Sequence, residues 1–314
     1  MIPRRTYALV SLVLIMIVWG STYVVTKAAV RQIPPLTLAT LRYLIATAVL
    51  VSVALARGGL LRWPKPLPIA PLVWMGLTGI AILTVGFNYG LIYGSAFQGA
   101  LVYALGPAAV AVAAVLGLGE TLTGRRIAGI ILSVAGAILV VSSGETDPAA
   151  PQPWLGAICM LAGVLAWAYY TVIAKRLAGA DQIVVIAWVS IIGTAMLLPL
   201  GIFELLQSPM PKPTMAGWLG VLFLGAVASA LAYVVYSWVL RELEASLVGA
   251  YFTLDPIVGV ATAVLFLGEA LSGRQVVGAV IALIGMRLAA SASKPSTGRR
   301  GVPTAGPEVE TGVR

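Results

Sequence analysis

Apolar residues run through this chain in long blocks, and polar residues gather in the short stretches between them. Proline, glycine and charged clusters divide it into ten apolar segments, roughly 7–30, 36–56, 69–93, 96–118, 125–143, 153–175, 182–206, 215–240, 245–267 and 273–290. A helix needs about 20 mostly apolar residues to cross a bilayer, so each block predicts a spanning helix. The longest connections, 57–68, 144–152 and 207–214, hold proline or acidic residues, as turns at a membrane surface should. The first block follows Arg4 and Arg5 but exceeds a signal h-region and lacks a clear small-residue cleavage site. It reads as a retained first span. Residues 291–314 are rich in Ser, Gly, Pro and charge and predict a disordered tail.

The blocks repeat. Pro107, Gly119-Glu120 and Gly124-Arg125 recur as Pro256, Gly268-Glu269 and Gly273-Arg274, each 149 residues later (256 − 107). Gly129 and Gly136 return in the same register as Gly278 and Gly285. Such self-similarity marks a duplication, with one five-helix unit over 1–148 and a second over 149–290. Five is odd, so the second unit enters the membrane in the opposite orientation. The expected fold class is therefore all-α and integral to the membrane: ten helices as two inverted five-helix repeats around a central cavity. Inverted repeats of this kind alternate access to a midplane site at their seam.

Charge gives the sidedness. With ten spans, both termini share a side holding 15 of the Lys and Arg residues; the other side holds Lys27, Arg31, Lys212 and Arg274. Positive charge stays inside, so both termini are expected in the cytoplasm, in a bacterial inner membrane. Sixty percent of the 314 residues are hydrophobic and 10% charged, which suits lipid as the solvent. The basic residues lie scattered between apolar runs, which argues against a nucleic-acid partner. No histidine and a single cysteine, Cys159, leave no expectation of a metal, a cofactor or a disulfide. They also disfavour an intramembrane enzyme. No Gly-x-x-x-x-Gly-Lys loop is present for ATP hydrolysis. A channel would need a continuous polar stripe, and the faces here are mixed aromatic and small.

Candidate chemistry then narrows to a few positions. Pro107 and Pro256 sit inside spans four and nine, where proline removes a helix hydrogen bond and bends the chain. Glu120 and Glu269 end those spans and read as surface carboxylates in helix-end contacts. Arg42 lies about two turns inside span two, where a charge is paired, water-facing or snorkelling. The functional reading of Arg42 is an anchor for a carboxylate or a helix end. Asp255 sits near mid-depth in span nine, and its repeat counterpart is Gly106, so the fold does not require an acid there. It is the leading ionisable candidate for a substrate amino group or a proton. Gly86, Gly90 and Gly94 are spaced for close helix approach. Trp63, Trp74, Trp154 and Trp218 fit an interfacial belt. Trp19, Tyr23, Asn88, Tyr89, Tyr103, Trp167, Tyr170, Tyr233, Tyr236 and Tyr251 lie nearer mid-span and are the expected substrate-binding set. Ser229, Tyr233 and Tyr236 share one helical face. Rings with a few hydroxyls suit a small amphipathic solute.

The Pro-to-Gly-Glu helix in each half, Arg42, and the pairs Trp19/Trp167 and Lys27/Lys175 carry a family resemblance over about residues 7–290. The chain resembles the ten-helix EamA-type transporters of the drug/metabolite transporter superfamily, nearest the amino-acid exporters. The resemblance implies a helical basket and a secondary transporter without a cofactor. It implies export, facilitated or proton-coupled, of small amphipathic metabolites, above all amino acids with aromatic or large apolar side chains; export of drugs or other small metabolites is the alternative that the same resemblance carries. The expected partners are that solute and the lipid bilayer, with the chain working as a monomer.

Overall fold

The computed structural model describes residues 3–60, 68–119, 123–142, 150–177, 179–207, 212–243 and 251–289. These residues form helices in the expected order: α1 Arg4–Ala29, α2 Pro35–Ala56, α3 Ile69–Tyr93, α4 from Ala96, α5 Gly124–Ser142, α6 Pro153–Arg176, α7 Gln182–Gln207, α8 from Met215, α9 Leu254–Leu267 and α10 Gly273–Ala289. Eight are long and apolar enough to cross a bilayer; Leu254–Leu267 is a shorter apolar helix, and residues 244–250 before it lie outside the described set. The tail at 291–314 and Glu120 also lie outside it. Large apolar side chains such as Ile131, Ile158, Phe203 and Leu206 are exposed on the bundle surface, as lipid contact requires. The end of the bundle where α1 begins is here the near end, and the opposite one the far end.

Four spans depart from continuous α-helix. Pro107 and Pro256 accompany breaks rather than bends. Span four splits into Ala96–Tyr103 and Gly106–Leu118, with Pro107 in the first turn of the second piece. Pro256 likewise lies in the first turn of α9. A proline lacks the N–H that a first turn leaves unpaired anyway, so it starts a helix more easily than it continues one. Both pieces then stop at a left-handed glycine, Gly119 at φ 67° and Gly268 at φ 65°. A side chain there would be strained, which explains why the glycine repeats. Spans three and eight contain π-helical stretches, Leu77–Ile82 and Phe223–Leu231. Shifted by the repeat distance of 149, the first stretch falls inside the second. The wider turns are thus a shared feature of both halves.

The halves are interleaved. α5 packs on α10 and α2 on α7, while α3 and α4 pack on α6 just as α8 and α9 pack on α1. Exchanging the halves maps this set of contacts onto itself. The seam helices run antiparallel: Gly129 abuts Gly285 and Ala289, whereas Gly136 abuts Gly278 and Ala282. Between α2 and α7, Thr40 Oγ1 donates to Leu197 O at 3.0 Å and Thr47 Oγ1 meets Thr194 Oγ1 at 2.8 Å. Along α3, Gly86 and Gly90 touch the α6 backbone at Cys159 O and Gly156 O, and Gly94 meets Gly156.

Candidate functional site

A partly open cavity of about 400 Å³ lies midway along the bundle, walled by residues of both halves. Arg42 of α2 faces it and does not snorkel away. Its Nε donates to Ser229 Oγ on α8 at 2.7 Å, and its guanidinium lies 5.5 Å from the Tyr43 ring centre. The terminal guanidinium nitrogens have no hydrogen-bond partner among the described residues. Asp255 faces the same cavity from the first turn of α9. A helix N-terminus carries partial positive charge, which favours a carboxylate at this depth. Tyr23 OH donates to Asp255 Oδ2 at 3.0 Å, and Oδ1 has no donor among the described residues. Arg42 and Asp255 form no ion pair with each other. A guanidinium and a carboxyl group therefore share one chamber, each with polar atoms unused.

Rings fill the rest of the wall. Trp19 sits 5.4 to 5.8 Å from Tyr236, Tyr233 and Phe252. Its Nε1 donates to Ala228 O at 3.0 Å, inside a π-helical stretch where the regular ladder is interrupted. Its repeat counterpart Trp167 is held differently, stacked on Tyr170 at 4.9 Å and 17°. The Trp167 indole N–H has no acceptor among the described residues, and Trp167 lines the cavity. One tryptophan is thus a strut and the other presents a free donor. Tyr103 stands edge-on to Phe87 at 5.2 Å, its hydroxyl buried and unpartnered. Gly163 makes room for that hydroxyl, since a Cβ there would lie 2.6 Å from it.

Of the expected substrate-binding residues, Trp19, Tyr23, Tyr103, Trp167, Tyr233, Tyr236 and Asp255 line this cavity, as do Arg42, Pro107 and Pro256 from the structural candidates. Four residues do not. Asn88 is buried, and its amide donates to Pro35 O at 2.8 Å, tying α3 to the start of α2. Tyr89 turns aside to stack on Tyr93. Tyr170 lies on Gly79 and lines a small void behind the wall with Ser190 and Ser229. Tyr251 lines a separate groove with Leu254, Ile257 and Arg287. Glu269 is not the surface carboxylate its span-end position suggested: it is 7% exposed and caps the start of α4. Phe87, Phe252 and Thr84 line the cavity without having stood out in sequence. Phenylalanine has no polar tip to mark it among 60% hydrophobic residues.

The profile of the EamA-like transporter family matches this chain twice, over residues 6–142 and 154–291. The chain belongs to the EamA-like transporter family. Similar proteins include an uncharacterized transporter of Archaeoglobus fulgidus, 28% identical over 88% of this chain and 95% of that protein. The uncharacterized inner membrane transporter YedA of Escherichia coli K12 is 29% identical over 82% of this chain and 81% of its own. The uncharacterized transporter YvbV of Bacillus subtilis is 29% identical over 93% and 94%. A crystal structure at 23% identity superposes with a TM-score of 0.63, covering 90% of this chain and 98% of the other, and so shares the fold. This EamA-family chain is an integral membrane protein of the transporter type, built from repeated helical units.

Proposed function

We propose that this chain exports small amphipathic metabolites, above all amino acids with aromatic or large apolar side chains, by alternating access between its inverted halves. One observation carries the reading: Arg42 and Asp255 face a single ring-lined chamber, unpaired with each other. Arg42 would hold a carboxylate and Asp255 an ammonium group, with the rings taking the apolar side chain. Cavities of roughly 300–1,000 Å³ hold small molecules of this size class. The aromatic faces add cation–π attraction for the ammonium group. Positive charge at the near end supports a cytoplasmic location for both termini and solute loading from that side.

Binding to the purified protein tests the two charge contacts separately. L-phenylalanine should bind, and its amide and its N-acetyl derivative should each bind at least about tenfold more weakly, the value of one charge-assisted contact. Intrinsic tryptophan fluorescence is a suitable readout, because Trp19 and Trp167 line the cavity. Equal affinity for all three compounds would remove the zwitterion from the account.

A further inference from the structure

At the far end, helices of one half begin on side chains of the other. The start of α2 has no side-chain cap of its own behind Pro34. Its Leu36 and Thr37 N–H groups donate instead to the Glu204 carboxylate of α7, at 3.3 and 2.7 Å. The start of α4 has a capping box in Ser95 and Gln98. Its two remaining donors, Ala96 N–H and Phe97 N–H, reach Glu269 Oε1 and Oε2 at 2.8 and 2.9 Å. The start of α8 in turn donates from Thr214 N–H and Oγ1 to Gln32 of the first half, both at 2.9 Å. A free N-terminal turn needs such acceptors, and carboxylates are the strongest of them.

The α3–α4 turn is held from both sides. Lys27 Nζ donates to Leu91 O and Gly94 O at 2.6 Å, where α3 ends. Glu269 receives the start of α4, two residues further on. Cation and anion each match the helix end that they meet. Both are buried, at 4% and 7% exposure, as are Leu91, Ala96 and Phe97, whose backbone groups they hold. Separating the halves at this end breaks the Glu269 and Glu204 contacts together.

We propose that these caps exchanged between the halves are the latch of the far end, with buried Glu269 its main catch. The far end opens only when Glu269 releases α4 and Glu204 releases α2. The proposal rests on the alternating-access reading above but not on the nature of the solute. Cysteine accessibility tests it without any substrate. In the full chain carrying Cys159→Ala, Thr22→Cys places a reporter thiol in the cavity wall. A Lys212→Cys variant, labelled from one face, fixes which face is the far one. Glu269→Gln removes the charge and one acceptor at nearly constant volume. With a membrane-impermeant thiol reagent, it should raise reporter labelling from the far face about tenfold, the weight of one charge-assisted bond. Labelling from the near face should fall in parallel. Glu204→Gln, at a less buried contact, should shift both in the same directions by less. Unchanged labelling from both faces in both variants would overturn the latch. So would a rise from both faces, because that marks a cap that only stabilises the fold. A shift of opposite sign at the two faces, with no amino-acid flux, would keep the latch and discard the substrate reading.

Discussion

Alanine at Arg42 or at Asp255 should each reduce transport at least tenfold while leaving the protein folded. Each side chain presents unused polar atoms to the cavity, so on the proposed function its loss should remove a charge-assisted contact to solute worth about 1.5–3 kcal/mol. That is a factor of roughly 10 to 150 in a binding constant. The fold should tolerate both changes. Arg42 makes one side-chain hydrogen bond, to Ser229, and the Gly106 counterpart of Asp255 shows that a helix can start there without an acid. Arg42→Lys should not restore transport, because a point charge cannot hold both Ser229 and a carboxylate in the same fork. Initial rates in proteoliposomes, alongside elution profiles of the purified variants, read both halves of this expectation. Full transport by either alanine variant would move the site elsewhere.

Gly136→Leu should prevent recovery of folded protein. A Cβ at Gly136 would lie 2.6 Å from Gly278 O, 2.8 Å from Ala282 Cα and closer still to the Ala282 nitrogen. All three are backbone atoms of α10 and cannot swing away as a side chain would. Overpacking a core against movable side chains already costs about 1–3 kcal/mol, and a rigid neighbour raises that. Gly124→Ala and Gly273→Ala are the matched controls. They belong to the same repeated motif, but no atom lies within 4 Å of their added Cβ. Thermal unfolding in detergent should place both controls within a few degrees of the parent and leave Gly136→Leu without a transition. A stable Gly136→Leu protein would show that α5 and α10 do not meet as closely as described.

Much of the architecture was legible because lipid imposes it. Apolar length marks where helices run, whereas the recurrence of glycines in α5 and α10 did not by itself say that those two helices pack on each other. The inward face of α8 was also readable, since Ser229, Tyr233 and Tyr236 follow helical spacing. The π-helical stretches were not readable, because no residue type in an apolar run signals a shift from i→i+4 to i→i+5 hydrogen bonding. Asp255 read as a carboxylate in mid-span, and its place at a helix start came only with the break before Pro256. Glu269 and Lys27 look like surface charges at span ends. Their burial depends on helix ends supplied by distant segments, a contact that local pattern cannot carry. Tyr170 and Tyr251 lie in spans that face the cavity but point off the lining face, which a residue type alone does not reveal.

Flux through the purified protein decides whether this chain moves amino acids. Liposomes loaded with unlabelled L-phenylalanine should take up radiolabelled L-phenylalanine and L-leucine by exchange, well above protein-free liposomes and above liposomes carrying Asp255→Ala. Imposing a proton gradient separates facilitated diffusion, which it leaves unchanged, from proton coupling, which it accelerates. Uptake no faster than in protein-free liposomes, for these and every other amino acid tried, would contradict the account.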